Sequence, residues 1–308
     1  GLFSRVNVSL DWYTRTTKDL LMSKQLNSIS GFSSLLTNVG QMRNTGVELE
    51  VRSNNIKTKD FSWTTAFNLS HNKNKILKLA DLPWFVDGRY VRKEGYPFNT
   101  IYLREYAGVD PETGSALYYD NQQDENGNYT KNKVTDPGQA RPIPLKDITP
   151  TISGGFMNTF NYKFIDLSFN LSYSFGGYSY DNASYILQDD GYSVISNKST
   201  EQRRRWQKPG DITDVPRFVY GNKKGGNYNS SRAIHSTDHI RLKSLILGLN
   251  APKAWLQKLG IGNARIYFSG TNLLTWAAYG QYDPEMSGVV GFYTPPLKTY
   301  AFGLELKF

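Results

Sequence analysis

The chain has 308 residues, no cysteine and a formal charge of +9, so disulfide, thiol-redox and thiolate-metal roles are excluded. Its mean hydropathy is −0.52, and no apolar run reaches the roughly eighteen residues of a helical span. Membrane barrels stay open, because their lipid-facing and lumen-facing residues alternate. The positive charge suits nucleic-acid phosphates and anionic lipid head groups equally. The opening GLFSRVNVSLDWYTR has neither the basic start nor the apolar stretch of a secretory signal, the pattern of a mature form or a fragment.

Alternation begins at once. Val6, Val8, Leu10 and Trp12 alternate with Asn7, Ser9, Asp11 and Tyr13, the period of two that marks a β-strand. Val47, Leu49 and Val51 alternate with Glu48, Glu50 and Arg52, and Phe61, Trp63, Phe67 and Leu69 with Ser62, Thr64, Asn68 and Ser70. Ile152, Phe156, Phe160 and Tyr162 share a face with Gly154 and Asn158. Only Lys163 and Phe164 separate them from IDLSFNLSYSF, in which Ile165 to Phe175 interleave apolar and polar residues without error. That spacing predicts a hairpin with a tight turn. In HIRLKSLILGLN the apolar phase slips from Ile240 and Leu242 to Leu245, Leu247 and Leu249, as a β-bulge requires. ARIYFSGTNLL and the terminal TYAFGLELKF complete a set of about eight strands.

The connections alternate too. Those near 53–59, 163–164 and 251–263 are short, and those near 18–42, 73–149, 176–237 and 275–296 are long. A compact soluble domain seldom carries several long irregular loops, whereas an outer-membrane barrel joins its strands by short periplasmic turns and long extracellular loops. The expected fold is therefore all-β, an antiparallel transmembrane barrel segment. Phe169, Leu171, Phe302, Leu304 and Leu306 are expected to face lipid, and Glu305 and Lys307 a wet lumen, since a charge at mid-bilayer costs roughly 2–4 kcal/mol. Arginine at Phe169 or Leu304 should then impair assembly, while small polar residues at Ser168 or Gly303 should be tolerated. The terminal Phe308 suits the membrane interface. A soluble sandwich with its greasy face in a core is the competing reading of the last strand.

Chemical sites are sparse. His235 and His239 have metal-like spacing only on a helix, and they straddle a strand entry. DNQQDENGN lacks the alternating acids and closing acid of a calcium loop. GVDPETGSALYYDN holds Asp110, Glu112 and Asp120, yet its Asp-Pro and Thr-Gly punctuation predicts a loop hairpin over a glycosidase pair. EQRRRWQKPG sets a basic cluster beside Trp206, suited to a solvated loop or to lipopolysaccharide phosphates. No catalytic, cofactor or metal residue is expected. Loop aromatics remain as candidate substrate or partner contacts, foremost Trp84, Tyr118, Tyr119, Trp206 and Tyr220.

Several motifs coincide with one family. VSLDWYTRTTKDLL, NVGQMRNTGVELEV, FSWTTAFNLSHNKNKILKL, TPTISGGFMNTFNYKFIDLSF, HIRLKSLILGLNAP and ARIYFSGTNLLTWAAYGQYDPE resemble the C-terminal barrel portion of SusC/RagA-type TonB-dependent outer-membrane transporters of Bacteroidetes. The resemblance covers nearly the whole chain apart from loop interiors such as 121–141 and 181–200. It implies that residues 1–308 are about the last eight strands of a 22-stranded barrel, with the N-terminal plug, the TonB-contacting box and the earlier strands absent. It also implies a SusD-like surface lipoprotein as partner, TonB as energy source, oligosaccharide or peptide as substrate, and no nucleic acid. The terminal Phe308 resembles the signal read by barrel-assembly machinery. A passive porin and, further off, a soluble carbohydrate-binding β-sandwich are the alternatives.

Overall fold

The computed structural model describes residues 5–26, 28–32, 34–79, 83–222, 229–257 and 260–308. Among these, eight strands form one antiparallel sheet in which each strand lies beside its neighbours in sequence. They are β1 (Val6–Gln25), β2 (Ser34–Lys57), β3 (Phe61–Leu79), β4 (Ile152–Tyr162), β5 (Ile165–Phe175), β6 (His239–Asn250), β7 (Asn263–Ala277) and β8 (Thr299–Lys307).

Because side chains alternate along a strand, cross-strand register decides whether the rows of one strand continue on the next. Here they do. Val8 lies opposite Val51, Val51 opposite Phe67, Phe67 opposite Phe156 and Phe156 opposite Leu171. Farther along, Leu247, Phe268 and Phe302 form another outward row. The reverse face carries Asp11, Glu48, Ser70, Ser153 and Ser174 in register. Toward its short-turn end, Arg265 binds Asp166 at 2.7 Å and Glu305 at 3.5 Å, while Asn250 donates to Asp166 at 2.8 Å. One face is thus apolar and open, with Phe302 82% exposed, and the other is polar and cross-linked. An uncovered apolar face spanning a whole sheet far exceeds what soluble monomers expose.

Asn158 is a polar member of the apolar face. It is buried, and its Oδ1 accepts from Trp63 Nε1 at 2.8 Å and Thr65 Oγ1 at 2.7 Å. Its carbonyl is therefore satisfied within the apolar face by donors from the neighbouring strand.

The tight turn and the slip are where the pattern predicts them. Tyr162 pairs with Ile165 across Lys163 and Phe164, and Lys243 is the extra residue at a register shift between β6 and β5, while on its other side Asn272 and Leu273 of β7 fall opposite it. Two expectations need correction. The connection near 18–42 is mostly strand: β1 runs to Gln25 and β2 starts at Ser34. The ladder continues there without a strict apolar alternation, with an irregularity between Thr17 and Leu21. Gly303 also does not stand free, because the Tyr267 ring from β7 lies over it where a Cβ would be. A small polar residue there must displace that ring, which Arg265 covers at 5.1 Å.

The short connections and the end of β8 share one edge of the wall, and the long connections gather at the other. The first long connection contains a small sheet of Trp84–Asp87, Tyr90–Lys93, Thr100–Leu103 and Ile143–Asp147. It also holds the hairpin Tyr106–Val109 and Ala116–Tyr119, extended by Lys133–Val134. The second supplies Tyr178–Asp181 and Ile234–Ser236, and the third adds Gly288–Val290 as a parallel neighbour. Ile101 and Leu103 of the first connection share a core with Tyr180 and Ala233 of the second. The second is also braced by buried charge: Arg232 grips Asp190 at 2.5 Å and Lys198 binds Asp189 at 2.6 Å. Burial would depress the Arg232 guanidinium, and the Asp190 carboxylate more than offsets that.

Candidate functional site

The polar face meets the loop body around Arg241. This residue lies opposite Ser172 and Thr275, in the polar row. Its Nη1 donates to Glu285 at 3.0 Å and its Nη2 to Asp283 at 2.7 Å. Lys243, displaced by the bulge, reaches Glu285 at 2.6 Å. A bulge re-aims a side chain, and here two neighbouring cations on one strand pin the last long connection against the polar wall.

Between that pinned segment and helix α1 (Asn182–Leu187) lies a cleft of about 620 Å³, a size that suits a small ligand. Tyr279, Tyr282, Phe292 and Tyr293 supply its aromatic surface. Tyr279 stacks on His235 at 3.7 Å and donates to Asp181 Oδ2 at 3.0 Å. The Tyr282 hydroxyl bonds Ser179. Burial pushes the Tyr279 phenol far up and the Tyr282 phenol up to about 12. Burial also depresses the His235 imidazole, against the pull of Asp181. At neutral pH both phenols keep their protons and the imidazole is uncharged. The arrangement offers ring faces and hydrogen bonds, which hold a ligand; it joins no nucleophile to a base. Among the described residues no group of three or more His, Asp or Glu could hold a metal ion.

No single surface holds all five loop aromatics singled out from the sequence. Trp84 is 45% exposed and lines a second cleft beside Tyr102. Tyr119 lies beneath Lys131, whose Nζ is 5.1 Å from the ring centre. Tyr220 is 79% exposed on the second connection. Tyr118 is instead fully buried, with Ala116 and Ala140, so its ring serves the core of its hairpin. Trp206 is likewise structural: its Nε1 donates to Pro111 O at 2.8 Å, and its ring covers Gly114. The surrounding basic stretch forms a short 3-10 turn in which Arg204 pairs with Glu201 at 2.5 Å.

The other acidic and imidazole candidates have local partners. Asp110 Oδ1 accepts from the amides of Glu112 and Thr113, closing the hairpin turn. Asp124 does the same for Asn126 and Asn128. His239 Nδ1 lies 2.8 Å from Thr237 O. Sequence reasoning missed Tyr279, Tyr282, Phe292, Tyr293 and Arg241 as one site. The YGQYDPE stretch after β7 held the available signal, since its Asp283 and Glu285 are the anchors that Arg241 and Lys243 grip.

No family model matches the chain. Curated relatives do: TonB-dependent receptor P3 of Formosa agariphila is 32% identical over 99% of this chain and 32% of its own length. TonB-dependent receptor SusC of Bacteroides thetaiotaomicron is 28% identical over 100% of this chain and 30% of its own length. Among solved structures, the RagAB peptide transporter superposes with a TM-score of 0.88 at 31% identity, covering 99% of this chain and 34% of that one. The chain thus spans about a third of the length of these relatives. With its antiparallel wall, its gathered long loops and this near-complete match along its own length, the chain belongs to the SusC/RagA family of TonB-dependent transporters.

Proposed function

We propose that the chain supplies barrel wall, lumen surface and outer loops to an energised outer-membrane importer. In this reading residues 1–308 are the C-terminal part of the barrel domain, and its long connections face the cell exterior. Lipid covers the row containing Phe169, Leu171, Phe302, Leu304 and Leu306, and Phe308 carries the assembly signal. A SusD-like lipoprotein closes over the loops, whose outer surface contacts lipopolysaccharide. TonB acts through a region outside this chain. The segment itself makes and breaks no covalent bond.

The observation that carries the reading is the aromatic cleft held against the polar wall by Arg241. A solute taken from the exterior would meet ring faces there before the polar lumen surface. Oligosaccharides and peptides both present flat apolar faces and hydrogen-bonding groups to such rings; the RagAB relative, a peptide transporter by name, supports peptide.

The test is uptake of labelled oligosaccharides and peptides by cells carrying the full-length protein, with TonB present or deleted. An importer loses uptake of its substrate with TonB. Equal uptake in both strains would mark a passive porin instead.

A further inference from the structure

The second cleft, of about 410 Å³, lies wholly within the first long connection. Trp84 and Tyr102 form adjacent aromatic walls, with ring centres 5.9 Å apart and planes inclined at 49°. Pro142 and Pro144 extend the apolar surface. The rim carries Lys93 and Arg141, no acidic residue lines the cleft, and neither cation pairs with a carboxylate among the described residues.

Its deepest lining residues are Val91 and Asn121. Asn121 is 1% exposed and holds a positive φ of 49°. Its Oδ1 accepts from Lys131 Nζ at 3.1 Å, which fixes the amide's orientation. The other end, Nδ2, is buried without a hydrogen-bond partner. Buried donors are nearly always satisfied, so an unpartnered amide lining a cleft calls for an acceptor from outside. The cleft therefore combines flat apolar walls, a buried amide donor and two uncompensated cations.

We infer that this cleft binds a carboxylate-bearing residue with a flat apolar face: the acid approaches Arg141, Lys93 and Asn121 Nδ2, and the face lies on Trp84 or Tyr102. A uronic-acid sugar and the carboxylate end of a peptide share this chemistry. Charge-assisted hydrogen bonds orient the acid, and ring stacking selects the face. The site is separate from the Tyr279 cleft, and occupancy does not require transport.

Isothermal titration of the full-length protein in detergent tests this with four probes: digalacturonate, neutral digalactose, the tripeptide Gly-Pro-Phe with a free carboxylate, and its C-terminal amide. One acid should bind at least tenfold more tightly than its neutral counterpart, and which acid does so identifies the source. Arg141→Gln and Trp84→Ala should each weaken that binding about tenfold. Asn121→Asp keeps an oxygen toward Lys131, tolerates the left-handed backbone and replaces the donor by an acceptor; it should weaken binding by as much or more. Acids that bind no better than neutral probes, or an affinity unchanged in Arg141→Gln and Trp84→Ala, would overturn the inference. Both of those side chains are solvent-accessible, so folding does not depend on them, and heat-modifiable mobility checks this. Binding is read at equilibrium, so loss of TonB-linked uptake bears on the importer reading and leaves this one standing.

Discussion

In the wall, long strands share continuous ladders and their side chains sort by face; in the loop body, strands of two to five residues surround buried charges. The wall's backbone groups are satisfied by neighbouring strands, so its side chains are free to match two different surroundings. The loop body has less regular pairing and fills its interior with Tyr118, Tyr180 and the ion pairs of Asp189 and Asp190. Damage should therefore propagate differently. A wall substitution acts through the medium that its side chain meets, and a loop substitution through the partner that it abandons.

The largest expected effect is in the loops. Arg232→Met breaks the buried ion pair with Asp190, and breaking such a pair costs about 3–5 kcal/mol. Limited proteolysis should cut the second long connection much faster, while heat-modifiable mobility still reports an assembled wall. Loss of both together would erase the distinction between the regions.

Next comes the wall. Phe169→Arg places a cation on the apolar face and should cost roughly 2–4 kcal/mol at the bilayer midplane, depleting assembled protein in outer-membrane fractions. Ser168→Ala, on the polar face, should leave it unchanged. Equal assembly of the two variants would show the faces to be reversed.

A smaller change sharpens the comparison at the short-turn edge. Lys163 holds a φ of +51°, a conformation that costs an L-residue about 1–2 kcal/mol. Lys163→Gly should raise wall stability by about 1 kcal/mol, less its own entropy cost, read from the urea midpoint of refolding into detergent. A fall in that midpoint would mean that the lysine side chain contributes more than its backbone costs.

The smallest expected effect depends on pH. Burial depresses the His235 imidazole, so over the window below the ordinary value near 6.5 the unfolded chain binds the proton and the folded chain does not. Stability of the loop body is then complete above that value and declines as pH falls toward the folded pKa. Hydrogen-exchange protection around residues 234–236, taken relative to the intrinsic amide rate at each pH, should fall between neutral and mildly acidic pH, and His235→Phe should flatten the dependence while preserving a ring against Tyr279. Protection that stays constant over this range in the parent protein would remove the linkage.

The wall was largely readable from residue order because its periodicity is local. Leu167, Phe169 and Leu171 declare a strand without reference to any distant residue, and the Leu242-to-Leu245 slip declares its bulge. Strand ends were less legible. Beyond Thr17 the ladder of β1 continues after the strict alternation has stopped, so hydrogen bonding outlasts the signal. Tyr118 and Trp206 show the limit for loop sites: an aromatic in a long connection has no period to tell a core ring from a ligand-facing one. Only packing against Ala140 in one case and Gly114 in the other assigned them. Gly303 failed for a similar reason, since the ring above it comes from the neighbouring strand.

By itself the sequence determined the strand set, its two faces and the three long connections after the third, fifth and seventh strands, because each depends on neighbours a few positions away. Tertiary structure alone decided which residues meet: Asp283 and Glu285 against Arg241 and Lys243, Tyr279 against His235, and Trp84 against Tyr102. Those contacts join segments many residues apart through folds of irregular backbone, and no repeating pattern in the chain encodes where such segments come together.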